Sequence, residues 1–220
     1  MDNLLRAYAS RRYAILFYSL LITLGAAPLL AALGLDAALL EIFLAVNLLA
    51  GALGFEAGWR RRVSLIVTVT ALVIHFTLPQ GYIDIMPAML AFWTAIALLG
   101  AASAVRFAMR SIKIDSEHIY AALSAYLLAG IFFGVLFHAV ERVWPGSFTA
   151  SGAIGEFPLF DAIYFSFVTL ATLGYGDLVP VSGVARGLAV IEAVAGQLFL
   201  AVMIARLVGS YVRMPDGRKR

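Results

Sequence analysis

Thr172-Leu173-Gly174-Tyr175-Gly176-Asp177 is the stretch of this 220-residue chain whose residue types and spacing could do chemistry. Glycine tolerates positive φ without a Cβ clash, so Gly174 and Gly176 would let an extended backbone turn successive carbonyls to one side. Four such strips around an axis would stack rings of oxygen able to replace the water shell of an alkali cation. Asp177, next in the chain, would place carboxylates at the mouth of such a path and raise the local cation concentration.

The elements that must hold this strip are strongly apolar. Hydrophobic residues make up 63% of the chain and charged residues 13%, with a mean hydropathy of +0.95. A soluble domain has about 45–50% apolar and about 25% charged residues, so the expectation is an integral membrane protein. There is no cysteine, hence no disulfide or thiol chemistry. The first apolar run is full length with no cleavage-site pattern after a short core, which argues against a removable signal peptide. No phosphate-binding glycine loop and no nucleophile–His–acid set is present. His75, His118 and His138 are scattered without metal-ligand spacing. An enzyme is not expected, and neither is a cofactor or a nucleic-acid partner.

Six runs are long enough to cross a hydrocarbon core, which takes about 20 helical residues. They lie near 13–33, 37–58, 63–79, 85–105, 119–141 and 183–209. Every Lys and Arg except Arg142 and Arg186 then falls on one face. The positive-inside rule makes that face cytoplasmic, with both termini inside and the Arg clusters against anionic headgroups. Residues 142–182 must therefore enter and leave on the opposite side. They contain a helical run, about Leu159 to Ala171, too short to span, with Pro158 suited to its first turn and Asp161 to its positive end. Irregular backbone at membrane depth is tolerated only inside protein or along a water-filled path. The glycine strip is thus expected to line one.

From Tyr164 through Pro180 the sequence resembles the pore loop of the tetrameric potassium channels, whose filter usually reads TVGYGD or TIGYGD. The likeness is strong over 119–209 and weak over 1–118. It implies an all-α membrane protein with six transmembrane helices plus a re-entrant pore helix and selectivity filter, assembled as a cyclic homotetramer. The domains would be 1–118, a four-helix membrane domain resembling a degenerate voltage sensor with a linker helix; 119–209, the pore; and 210–220, a short basic cytoplasmic tail.

The resemblance also implies that the backbone oxygens of Thr172, Leu173, Gly174 and Tyr175, with the Thr172 hydroxyl and Gly176 completing the strip, bind dehydrated potassium. Potassium is then the permeant ion, and the location is the cell membrane. Tyr175 would wedge against Tyr164, Phe165 and Phe167 in an aromatic collar, and the Tyr164 hydroxyl would partner Asp177 where relatives commonly have Trp. Leu173 replaces the usual β-branched residue; it keeps the carbonyl but is less stiff at χ1. Gly196 is either a gating hinge or a point of close approach to the pore helix. Leu200, Ile204 and Val208 recur every four residues and form either a hydrophobic constriction or a plain packing stripe. Glu192, a carboxylate inside the last helix, either braces the filter by bonding Ser166 or Thr169, or sits protonated among packed side chains.

Residues 85–105 contain no basic residue, so little voltage dependence is expected. With so short a tail no ligand-sensing domain is expected in this chain; the gating stimulus is left open among lipid, pH, a separate regulatory subunit and the filter itself. The expected function is passive potassium-selective conduction. The alternatives are a less selective cation channel of the same architecture, the membrane subunit of a potassium transporter, and a non-conducting scaffold.

Overall fold

The computed structural model describes residues 11–32, 69, 98–109, 115–150 and 157–212. In chain order these form α1 (Arg12–Ala32), α2 (Leu98–Met109), α3 (Ser116–Val143), β1 (Phe148–Ala150), α4 (Leu159–Leu170), β2 (Leu178–Pro180) and α5 (Gly183–Val212).

Each boundary in the C-terminal half has a local cause. Asp115 caps α3, its carboxylate accepting the His118 amide at 3.0 Å. Pro158 precedes α4 with extended backbone, and Asp161 sits in its first turn, where negative charge is favourable. Ser182 Oγ accepts the Ala185 amide at 3.2 Å at the start of α5, and Arg186 Nε reaches back to the Pro180 carbonyl at 3.1 Å.

Two cores hold these elements. In the first, Tyr13, Leu16 and Leu20 on one face of α1 meet Ala121, Ala125 and Leu128 of α3, and the small residues Ala101, Ala104 and Ala108 let α2 come close. Glu117 ties α1 to α3 by accepting the Tyr13 amide at 3.1 Å. At the far end of α2, Arg206 of α5 donates to the Ala108 carbonyl at 2.5 Å. The second core is aromatic. Phe148 stacks on Phe157 with ring centroids 4.3 Å apart, and Phe137 and Phe165 meet it edge-on. This core joins the end of α3, β1 and α4.

The expectation of an all-α fold with six transmembrane helices and a re-entrant pore helix is corrected in two respects. Among the described residues, two helices are long and apolar enough to cross a membrane, Ser116–Val143 and Gly183–Ser210. These two apolar helices support a membrane protein. The apolar stretch of α1 (Arg12–Ala26) and all of α2 are shorter. Apolarity alone does not separate a spanning helix from one shielded by its neighbours. The expected spans at 37–58, 63–79 and most of 85–105 lie outside the described residues. The second correction is a small antiparallel sheet, β1 with β2, pairing Phe148 with Pro180, Thr149 with Val179 and Ala150 with Leu178. Strands of three residues give no periodic signal, and their pairing is not local.

Candidate functional site

The strip begins where α4 ends. The Thr172 amide donates to Thr169 O at 3.0 Å and the Leu173 amide to Val168 O at 2.9 Å. With Ala171 as the cap, these are the two bonds of a Schellman turn, whose next residue must be left-handed and is usually glycine. Here it is Thr172, at φ 57°. A β-branched residue in that region is an outlier costing about 1–2 kcal/mol. Such a conformation persists only where the surrounding structure over-determines it.

Positive φ recurs at Gly174 (59°) and Gly176 (79°), while among the described non-glycine residues Thr172 alone has it. Backbone handedness therefore alternates along 172–176. The whole strip is exposed in the single chain, Leu173 at 58% and Tyr175 at 67%. Asp177 closes it: Oδ2 accepts the Tyr164 hydroxyl at 2.8 Å and Oδ1 the Leu178 amide at 3.0 Å. The Tyr164 bond, with a smaller contribution from the Leu178 amide, holds the Asp177 carboxyl below the ordinary aspartate value of 3.8.

Behind the strip, α4 is clasped by three glycines. A Cβ on Gly134 would lie 2.6 Å from Ile163 Cα, and one on Gly130 would lie 2.5 Å from the Phe167 ring. From α5, a Cβ on Gly196 would lie 2.7 Å from Leu170 Cδ1 and 3.1 Å from the Leu170 carbonyl. Gly196 thus sits where α5 approaches the end of α4 most closely. Gly130 and Gly134 escaped the sequence reading, although their four-residue spacing in an apolar helix is the pattern that lets membrane helices approach.

Glu192 is wholly buried and bonds Ser166 Oγ at 2.5 Å; Ser166 Oγ also lies 2.7 Å from the Gly130 carbonyl. Glu192 and α4 are therefore joined through Ser166 rather than Thr169, and the same hydroxyl joins them to α3.

The expected aromatic collar is not assembled within one chain. Phe165 lies among Phe137 and Phe148, and Phe167 packs on Gly130, both turned toward α3. Of the collar residues, Tyr164 alone joins the strip, through Asp177. Ile204 and Val208 are 60% and 58% exposed, and Leu200 36%. They share a helix that finds few partners in its own chain: half of the apolar stretch of α3 is buried, against 11% of that of α5.

Residues 122–213 match a family model described as "Ion channel". The chain is 34% identical over 96 residues to the inward rectifier potassium channel Kirbac3.1 of Paramagnetospirillum magnetotacticum, covering 42% of this chain and 29% of that protein. It is 38% identical over 87 residues to two pore potassium channel c of Oryza sativa, covering 40% of this chain and 18% of that protein. Two-pore potassium channel 4 of Arabidopsis thaliana is 36% identical over 56 residues, or 26% of this chain and 20% of that protein. The chain thus spans less than a third of the length of each of these relatives. No solved structure matches it.

The matched segment, α3 through α5, is similar to the ion-channel family model, which supports a non-enzymatic transport function. This replaces the resemblance to a six-transmembrane-helix subunit: the likeness is to a module of two long helices framing a short one.

Proposed function

We propose that the chain is a subunit of a potassium-selective channel, in which four copies of Thr172–Gly176 surround an axis and replace the hydration of the ion with backbone oxygens. The observation that carries this reading is the alternation of handedness at Thr172, Gly174 and Gly176. Alternating φ sign is what lets consecutive carbonyls face one side, and no helix or strand geometry does so. Thr172, Leu173, Gly174 and Tyr175 supply the oxygens; Asp177, held by Tyr164, concentrates cations at the mouth.

The end of α4, with carbonyls left over from its last turn, adds a negative field beneath the strip. Glu192 supports the strip through Ser166. Gly196 seats α5 on α4, and Leu200, Ile204 and Val208 lie on a face open to other copies or to the path. The printed names of the relatives, potassium channels in each case, point the same way. A homotetramer follows from one strip per chain. Residues 85–105 carry no basic side chain, so little voltage sensitivity follows, and both termini face the cytoplasm.

Flux from purified protein in liposomes, with barium or a quaternary ammonium blocker and at several voltages, tests this directly. Absence of blocker-sensitive potassium flux would sink the reading. Leu173 favours one variant of it, a less selective cation channel, because the strip loses a stiff β-branched side chain there. Reversal potentials in potassium against sodium separate the two.

The mouth charge carries its own prediction. Folding favours ionised Asp177, so this contribution is complete above pH 3.8 and is lost as pH falls through the depressed value. In Tyr164→Phe the main cause of the depression is gone. The external-pH midpoint for loss of cation current will therefore move up toward 3.8. An unchanged midpoint would show that the hydrogen bond does not tune the mouth.

A further inference from the structure

The strip is fixed at its start by the Schellman turn of α4, but the chain leaving it, Leu178–Pro180, belongs to a sheet of three residue pairs. Two strands this short are marginal alone. Something must set β1 before β1 can set β2.

Glu141, in the last turn of α3, does this. Its Oε1 accepts the Gly146 amide at 2.7 Å and its Oε2 the Phe148 amide at 3.0 Å. One carboxylate thus bridges the turn that leads from helix to strand. That turn needs glycine: Gly146 stands at φ 82°. Ser147 completes it, its hydroxyl donating to the Trp144 carbonyl at 2.7 Å. Phe148 is then delivered into the aromatic core against Phe157 and Phe165, the latter on α4.

From here the register is transmitted. The Val181 amide donates to the Ser147 carbonyl at 2.8 Å. By antiparallel alternation Pro180, opposite Phe148, occupies a position whose missing N–H would point away from β1. A slip of one residue would put proline where a donor is required. Leu178, paired with Ala150, directly follows Asp177.

We propose that Glu141 is a positioning residue for the outer end of the strip: its two-oxygen clamp sets β1, and β1 holds β2 and with it Asp177 and Gly176. The proposal rests on the channel reading for its effect on ions, but the clamp itself does not.

Glu141→Gln is the near-isosteric test. A carboxylate offers two acceptors, whereas the amide offers one acceptor and would turn an N–H toward a backbone N–H. In reconstituted full-length protein the potassium-over-sodium permeability ratio falls about tenfold, the change carried by one lost hydrogen bond to a carboxylate. Amide exchange accelerates over 146–150 and 178–181 in the same variant.

A merely structural role would lower assembly yield and leave selectivity alone, so a rescue decides. The chain has no cysteine. The pair Ala150→Cys and Leu178→Cys, at a non-hydrogen-bonded position where side chains lie close, can therefore be introduced cleanly into Glu141→Gln. Oxidation restores the ratio, and reductant removes it again. Should Glu141→Gln not fold, the oxidised triple variant takes its place, and failure of that variant to recover selectivity overturns the proposal. An unchanged ratio with unchanged exchange in Glu141→Gln also overturns it, while leaving the channel reading intact. If the unsubstituted protein does not conduct, the channel reading fails. Exchange alone then decides the clamp: acceleration supports it and no change refutes it.

Discussion

Gly134→Ala will unseat α4 and, in the proposed channel, abolish conduction. The added Cβ would sit 2.6 Å from Ile163 Cα and 3.1 Å from Ile163 N, and backbone cannot rotate away as a side-chain tip can. Overpacking of this kind costs about 1–3 kcal/mol, and displacement of a helix backbone belongs at the upper end. Because α4 leads directly into Thr172, a shift of a few tenths of an ångström there moves the whole strip. The measurement is the thermal midpoint of the purified protein followed by flux in liposomes.

Gly25→Ala is the control. Among the described residues nothing lies within 4 Å of a Cβ at Gly25 on α1, so alanine there will be neutral or stabilising by up to about 1 kcal/mol through helix propensity. Equal losses in the two variants would mean that the clasp around α4 is not what Gly134 provides.

Gly176→Ala has the other large effect, for a different reason. Its neighbourhood in the chain is open, with nothing within 4 Å of the added atom, so no clash with other side chains is at issue. The penalty is in the backbone, at φ 79°. An L-residue there costs about 1–2 kcal/mol per copy, hence about 4–8 kcal/mol over four strips in the proposed tetramer. Potassium selectivity will be lost while each subunit still folds. Thr172→Gly is the informative contrast: it relieves the strain at φ 57° and so stabilises the turn, yet it removes the hydroxyl. Stability will rise and potassium selectivity will fall. A variant that gained both would show that the threonine oxygen plays no part in binding the ion.

The strip was legible because its chemistry is local. Two glycines, a threonine and an aspartate in six residues leave few conformations that suit an apolar surrounding, and the helix at Leu159–Leu170 announces itself through Pro158 and Asp161. The bond from Tyr164 to Asp177 is the one the family resemblance implies, and the bond from Glu192 to Ser166 is one of two alternatives the sequence left open.

What escaped was set by contacts distant in sequence. Pairing of β1 with β2 joins Ala150 to Leu178 through three residues on each side, too few for a periodic pattern. The rings of Phe165 and Phe167 had two apolar destinations, and composition could not choose α3 over Tyr175. The left-handed Thr172 ran against the ordinary preference for glycine after a helix, which is why strain there carries information. Counting helices by apolarity overreached because apolar composition reads alike whether a helix spans lipid or, as at Ala101, Ala104 and Ala108, packs small side chains on its neighbours.

The bond from Arg206 to the Ala108 carbonyl joins points 98 residues apart in the chain. With the contact of the same guanidinium to Met109 Sδ at 3.2 Å, it links α5 mechanically to the end of α2. Swinging the lower half of α5 outward must either snap this tether or drag the end of α2 along. Whatever force acts on the earlier helix is therefore delivered as torque some ten residues below Gly196, and a stiff rod pulled at that point bends most readily where its side chains are smallest.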